Sequence, residues 1–199
     1  MIIGILGNKD HGKDTVSDYL VNKYKFEKKA FAEPLKEVCQ ILFGFTFEQL
    51  YGNSKEIPDK YWGVTPRNVL QFVGTELFRN KMSEIIPGIS QNFWLECMRR
   101  KSIEYDRLVI SDVRFQNEVD FIHEMNGIVI KIERRDKETK DAHASEKELK
   151  HITNYDLYIA NNSDLKTLYF KVDEIIKQFG IQQKKIVNKN IFDTYILGC

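Results

Sequence analysis

Ile2-Ile3-Gly4-Ile5-Leu6-Gly7-Asn8-Lys9-Asp10-His11-Gly12-Lys13-Asp14-Thr15 decides the fold. A short apolar run closes at Gly7, four residues separate it from Gly12 and Lys13, and a helix-like segment follows from Thr15 to Tyr24. Strand, glycine loop and helix in this order make a phosphate-binding P-loop. Gly7 and Gly12 let the backbone turn so that several N–H groups face one anion. The helix adds the positive end of its dipole, and Lys13 can reach terminal phosphates. One position departs from the pattern. Asp14 stands where Ser or Thr normally holds Mg²⁺, and Thr15 comes next. Asp14 is expected to touch the metal through water and Thr15 to bond an inner phosphate. The bland alternative is a glycine-rich turn that binds nothing.

The rest of the composition sets bounds. The chain has 199 residues, room for one α/β domain with a proper core. Its net charge of +1 gives no global field for holding nucleic acid or an anionic membrane, so any grip on phosphate is local. No apolar run approaches the roughly 20 residues that span a bilayer. Met1 to Gly7 lacks the flanks of a signal peptide. Cys39, Cys97 and Cys199 are odd in number and widely spaced, which fits a reducing, cytoplasmic setting rather than a disulfide or metal framework. Cys39 and Cys97 read as packing residues.

Along the chain, Lys28–Ala32 is a short second strand. Glu33-Pro34 opens a helix whose apolar face would include Leu35, Val38, Ile41 and Leu42, with Gly44 as its stop. Phe47 to Tyr51 adds a turn, and Asn53 to Thr65 is an irregular loop. Thr65-Pro66 begins a helix with Leu70, Val73, Leu77 and Phe78 as its buried stripe and Arg67 and Gln71 off it. Another helix starts near Ser90. Leu108–Asp112 reads as a buried strand ending in an acid, Asn117–Met125 as a helix, and Ile128–Ile132 and Asp156–Ala160 as further strands. A last helix runs from Leu165 to Gly180. Alternating strands and helices predict a five-stranded parallel sheet covered on both faces. The expected layout is one domain over 1–180, with a helical acceptor region at about 45–105, a charged lid at about 134–152 and an extension at 181–199.

In a parallel sheet the P-loop and the strand ending in Asp112 finish at the same edge, where ligands bind. Asp112 could hold the water shell of Mg²⁺ or orient an acceptor; otherwise it merely caps the next helix. Arg114 can reach the same pocket, or sit in a surface ion pair with Glu118. Phosphoryl transfer between two anions needs positive charge, a metal ion and exclusion of water. Arg67, Arg79, Arg99, Arg114, Arg134 and Arg135 are available for it. Arg134-Arg135 would close with the lid, while His143 within it reads as an exposed side chain.

These motifs resemble the viral and phage-type deoxynucleoside monophosphate kinases. The likeness rests on Gly12–Thr15, Phe31-Ala32-Glu33-Pro34-Leu35-Lys36, Thr65-Pro66-Arg67, Leu70-Gln71, Gly74-Thr75-Glu76, Ser111–Glu118 and His143–Glu146. The Asp after the loop lysine belongs to that pattern. The resemblance implies transfer from ATP, with Mg²⁺, to a deoxynucleoside monophosphate. It would place Gly7, Asn8, Lys9, Asp10, His11, Gly12, Lys13, Asp14 and Thr15 on ATP, and Asp14, Thr15 and Asp112 toward the metal. Asp112 and Arg114 would stand between donor and acceptor, Arg67 on the monophosphate, Gln71 near its base, and Phe31 to Lys36 along the same pocket, with Phe31 stacked on a base. Arg134 would be the lid arginine and Asn161 an adenine neighbour. The implied partners are the two nucleotides and a second copy in a homodimer, with no stable nucleic acid and no membrane.

Animal-type phosphomevalonate kinases are similar at Gly-Lys-Asp, Pro-Leu-Lys and Ser-Asp-x-Arg but lack the Phe-x-Asn-Glu continuation. Dephospho-coenzyme A kinase shares only the layout. A GTPase switch would show Asn-Lys-x-Asp, which is missing here: Asn188-Lys189 is followed by Asn190-Ile191. A non-catalytic P-loop module, or an end-processing nucleic-acid kinase using Arg99-Arg100-Lys101, completes the alternatives.

Overall fold

A computed structural model describes residues 1–89, 91–134, 149 and 151–186, with 180–186 as helical backbone only. Five strands, β1 (Ile2–Leu6), β2 (Glu27–Lys29), β3 (Leu108–Val113), β4 (Ile128–Glu133) and β5 (Leu157–Ala160), form one sheet in the order β2-β3-β1-β4-β5. Every neighbouring pair is parallel. β1 lies between β3 and β4, with Gly4 opposite Ile110 and Val129. The ends of β1, β3 and β4 therefore share one edge.

Alternation along β1 sorts the core into two layers. Ile3 and Ile5 face α1 (Lys13–Tyr24) and α7 (Leu165–Ile186), packing with Val16, Leu20, Leu168 and Val172. Ile2 and Leu6 face the other way, with Phe121 and Ile122 of α6 (Gln116–Glu124) and Leu95 and Met98 of α5 (Phe93–Ser102). Leu149 and Ile152 complete that layer.

A third, smaller cluster joins α2 (Glu33–Phe43), α3 (Phe47–Tyr51) and α4 (Pro66–Gln71) through Cys39, Phe45, Leu50, Val69 and Val73. Here the sequence reading needs correction. Ile41 and Leu42 are 80% and 66% exposed, because α2 packs on one side only and uses the i, i+4 row of Leu35, Cys39 and Phe43. Cys39 is fully buried as expected, and Cys97 only partly so. α4 starts as expected, with Thr65 Oγ1 accepting from the Asn68 N–H and Pro66 in the first turn. From Phe72 to Lys81, however, the chain winds as a π-helix rather than an α-helix. Winding of this kind loosens the carbonyl ladder, and the Trp94 Nε1–H takes the Gly74 carbonyl at 3.0 Å. The second strand is shorter and earlier than expected, Glu27–Lys29. No helix among the described residues is long and apolar enough to cross a membrane. Of the expected lid only Arg134, Leu149, His151 and Ile152 are described, and the 187–199 part of the extension lies outside the described residues.

Candidate active site

The loop after β1 is clamped by the ends of two strands. A Cβ at Gly7 would lie 2.4 Å from the Ile132 carbonyl oxygen of β4, so only glycine lets the chain leave the sheet there. Gly12 caps α1 at φ 101°, ψ 16°, a left-handed conformation that a side chain strains, and its Cβ would meet Asn161 Nδ2 at 2.6 Å. The same Asn161 Nδ2 donates to the His11 carbonyl at 3.0 Å. The Arg134 N–H donates to His11 Nδ1 at 3.4 Å, and the His11 ring is buried. The cap of α1 carries no side-chain acceptor, and the first-turn N–H groups of a helix have no intrahelical partner. Lys13 folds back over the loop, with Nζ donating to the Asn8 carbonyl at 2.7 Å.

Asp112 stands at the neighbouring strand end. Its carboxylate does not cap α6. Oδ1 accepts from the Phe31 N–H at 2.8 Å and Oδ2 from the Ala32 N–H at 3.1 Å, which ties β3 to the turn before α2. Arg114 is not ion-paired with Glu118. Its backbone N–H donates to Glu118 Oε2 at 2.7 Å, and the residue itself is exposed.

Electrostatics shows which charges share this space. Burial pushes the Lys13 ammonium down to about 8, helped by Arg114 and opposed by Asp14, Asp112 and Asp10. Lys36 is also lowered by burial, with Asp112 and Asp14 raising it and Arg114 lowering it. Lys55 is lowered by burial and then by four cations, Lys36, Arg67, Arg114 and Lys9. Charges from the P-loop, the end of β3, α2 and α4 thus reach one another's neighbourhood, with Lys55 meeting four cations. Lys36 Nζ also lies 4.0 Å from the centre of the Tyr51 ring, and Arg67 is ion-paired with Glu56.

The family model for deoxynucleotide monophosphate kinase matches residues 45–172. A protein of Acanthamoeba polyphaga mimivirus, which carries that kinase's name provisionally, is 42% identical over 182 residues, 86% of this chain and 94% of its own. The chain belongs to the deoxynucleotide monophosphate kinase family. The deoxynucleotide monophosphate kinase of Enterobacteria phage T4 is 28% identical over 116 residues, 58% of this chain and 46% of that protein. Shikimate kinase from Aquifex aeolicus aligns at TM-score 0.47 and 12% identity, over 91% of this chain and 99% of its own.

Among the residues expected at the kinase's site, the charges of Asp14, Asp112 and Arg114 reach both Lys13 and Lys36. Phe31 was expected to stack on a base. Its side chain is 4% exposed and packs edge-on to Phe121 at 5.9 Å, so its ring belongs to the core, and its backbone N–H donates to Asp112. Asp14 is exposed and ion-paired with Lys28 at 2.9 Å. Gln71 is exposed on α4. Arg99 is ion-paired with Glu96 and Glu124. Arg135 and His143–Glu146 lie outside the described residues. Lys55, which the sequence does not single out, sits in a short 3₁₀ turn, Asn53–Glu56, and a lysine in an irregular stretch carries no periodic signal.

Proposed function

We propose that the kinase moves the terminal phosphoryl group of ATP directly to a deoxynucleoside monophosphate, and that Gly7–Thr15 hold the donor. One observation carries this reading: across the paired ends of β1 and β3, where Leu6 lies opposite Val113, the charges of Asp112 and Arg114 reach Lys13 and Lys36, and Arg114 and Arg67 reach Lys55. That is the charge arrangement two facing phosphate anions require. Loop N–H groups and Lys13 would neutralise the donor. Arg67, Lys36 and Lys55 would hold the acceptor phosphate, and Gln71 would lie toward its base. Arg114 stands between the two, where a planar fork suits an equatorial phosphoryl oxygen. Arg134, at the mouth of the loop, would approach from the lid side.

Among the described residues no three carboxylate, histidine or cysteine side chains converge as a metal cage. The donor set instead fits Mg²⁺ arriving on the triphosphate, which needs only one or two protein carboxylates. Asp112 and Asp14, both acting on Lys13, suit that role, with the Thr15 hydroxyl nearby in the chain. When bound, the ion would shield charge between the phosphates. ATP supply and free thiols at Cys39 and Cys97 fit a cytoplasmic setting.

A coupled ADP-release assay with dTMP, dGMP, dCMP, dAMP and phosphomevalonate in parallel tests the acceptor class; turnover of phosphomevalonate alone would overturn the reading. Arg67→Ala is expected to raise KM for the monophosphate about tenfold or more, from loss of a charged hydrogen bond, with little change for ATP. Equal losses for both substrates would remove Arg67 from the acceptor side.

Donor binding should also take up a proton. The Lys13 ammonium titrates near 8 in the free protein, and facing phosphates raise it again. ATP affinity is therefore expected to fall as pH rises above about 8. Calorimetry at pH 8.5 in buffers of different ionisation enthalpy should show net proton uptake, absent in Lys13→Met.

A further inference from the structure

Among the described residues Glu118 is the only carboxylate buried as deeply as the core, at 3% exposure. The phosphoryl-transfer scheme leaves it unused. A glutamate at the third position of a helix ordinarily bonds the cap N–H and faces water. Glu118 does more. Oε2 accepts from both the Arg114 N–H at 2.7 Å and the Phe115 N–H at 3.1 Å. Oε1 faces Arg79 Nη2 at 3.5 Å, and the Arg79 guanidinium lies 4.1 Å from the centre of the Phe115 ring. Arg79 belongs to the π-helix that continues α4, the helix bearing Arg67 and Gln71. Two parts of the molecule that would hold different groups of the reaction thus meet at one buried ion pair.

A neutral glutamine would satisfy a local cap without desolvating a charge. Here burial and the nearby Asp112 charge push the Glu118 carboxyl up to about 7, opposed by the Arg114 N–H, Arg79 and the Phe115 N–H. The carboxylate is held at a cost because the guanidinium and two N–H groups converge on it.

We propose that Glu118 and Arg79 form a positioning pair that locks the turn after β3 to the acceptor helix, so that the aim of Asp112 and Arg114 depends on how residues 72–81 are seated. Neither side chain touches substrate in this account, and it rests on the role given above to Asp112 and Arg114. The groups facing Glu118 are Asp112 from β3 and Arg79 from the π-helix. A raised carboxyl is ionised only above its shifted value, so acidification below about 7 protonates Glu118 and loosens its hold on Arg79.

The test compares wild type with Arg79→Met, Arg79→Lys, Glu118→Gln and the Arg79→Met/Glu118→Gln double variant. It reads kcat, both KM values from pH 6 to 8.5, and thermal unfolding. Arg79→Met is expected to lower kcat about 10- to 100-fold, the scale of a small misplacement of reacting groups, with KM for ATP within about twofold. Arg79→Lys should recover part of that loss, and the double variant should be no slower than the worse single one. Glu118→Gln should lose the rate change near pH 7 that wild type shows beyond the substrate's own ionisation, which both proteins share. Wild-type kcat in Arg79→Met, losses that merely follow unfolding temperature, or an unchanged pH profile in Glu118→Gln would each overturn the proposal. If Asp112→Asn is also silent, the reading of the site itself has failed. If Asp112→Asn is crippled while Arg79→Met is normal, only the linkage has failed.

Discussion

Lys13→Met should lower kcat by about two to three orders of magnitude, the scale seen when one preorganised charge-stabilising group is removed, and should leave the fold intact. The two halves of that result have separate causes. In the proposed scheme the lysine faces the terminal phosphates of the donor, so its loss would fall on the transferring group. Loop N–H groups remain, so KM for the donor should move less than kcat. Stability should not fall, because the side chain is already held against its own preference. Burial brings its ammonium down to about 8, a shift that amounts to a cost on the order of 3 kcal/mol at neutral pH. Methionine fills similar volume with no charge to desolvate and gives up the bond to the Asn8 carbonyl, worth about 1 kcal/mol. Steady-state kinetics and thermal unfolding of the same preparation check both halves. Wild-type turnover would detach the loop from the chemistry, and an unfolded variant would contradict the account of its burial.

Asp112→Asn is expected to hurt both activity and stability. The carboxylate accepts one N–H on each oxygen, from Phe31 and Ala32. An amide has one oxygen, so its NH₂ must face a backbone donor, leaving that donor unpaired. The stability loss should be about 1–3 kcal/mol, read as a lower unfolding temperature. The kcat loss should reach about 10²–10³-fold, because the charge beside Lys13 is gone and the turn before α2 is freed. A variant with normal stability and normal kcat would show that Asp112 neither ties the turn nor serves the reaction.

The loop, the shared edge of β1 and β3 and the acid there were legible because each depends on local chemistry. Glycine is needed where a Cβ would strike Ile132 or Asn161, and an apolar run must end where the sheet ends. The Thr65-Pro66 start was legible for the same reason. Phe31 was not, because an aromatic residue beside a site has the same letter whether it faces a base or the core. Phe121, 90 positions later, decides it. The exposure of Ile41 and Leu42 was hidden because helical spacing gives a face but not how many neighbours lie beyond it. Lys55 and the Arg79–Glu118 pair needed the tertiary fold, since their partners come from other elements. Arg135 and the acidic and basic residues up to 148 lie outside the described structure.

The winding of residues 72–81 has a consequence for angular phase. In a uniform α-helix, at about 100° per residue, Arg67 and Arg79 would point about 120° apart. Widening the turn from Phe72 onward, to about 4.4 residues, takes up roughly that difference in backbone phase, so the Cα–Cβ directions of the two positions would share an azimuth. Deleting a single residue between Phe72 and Arg79, with the segment rewinding as an α-helix, would leave the two positions about 20° apart, so their alignment should survive that deletion while inserting a further residue would break it.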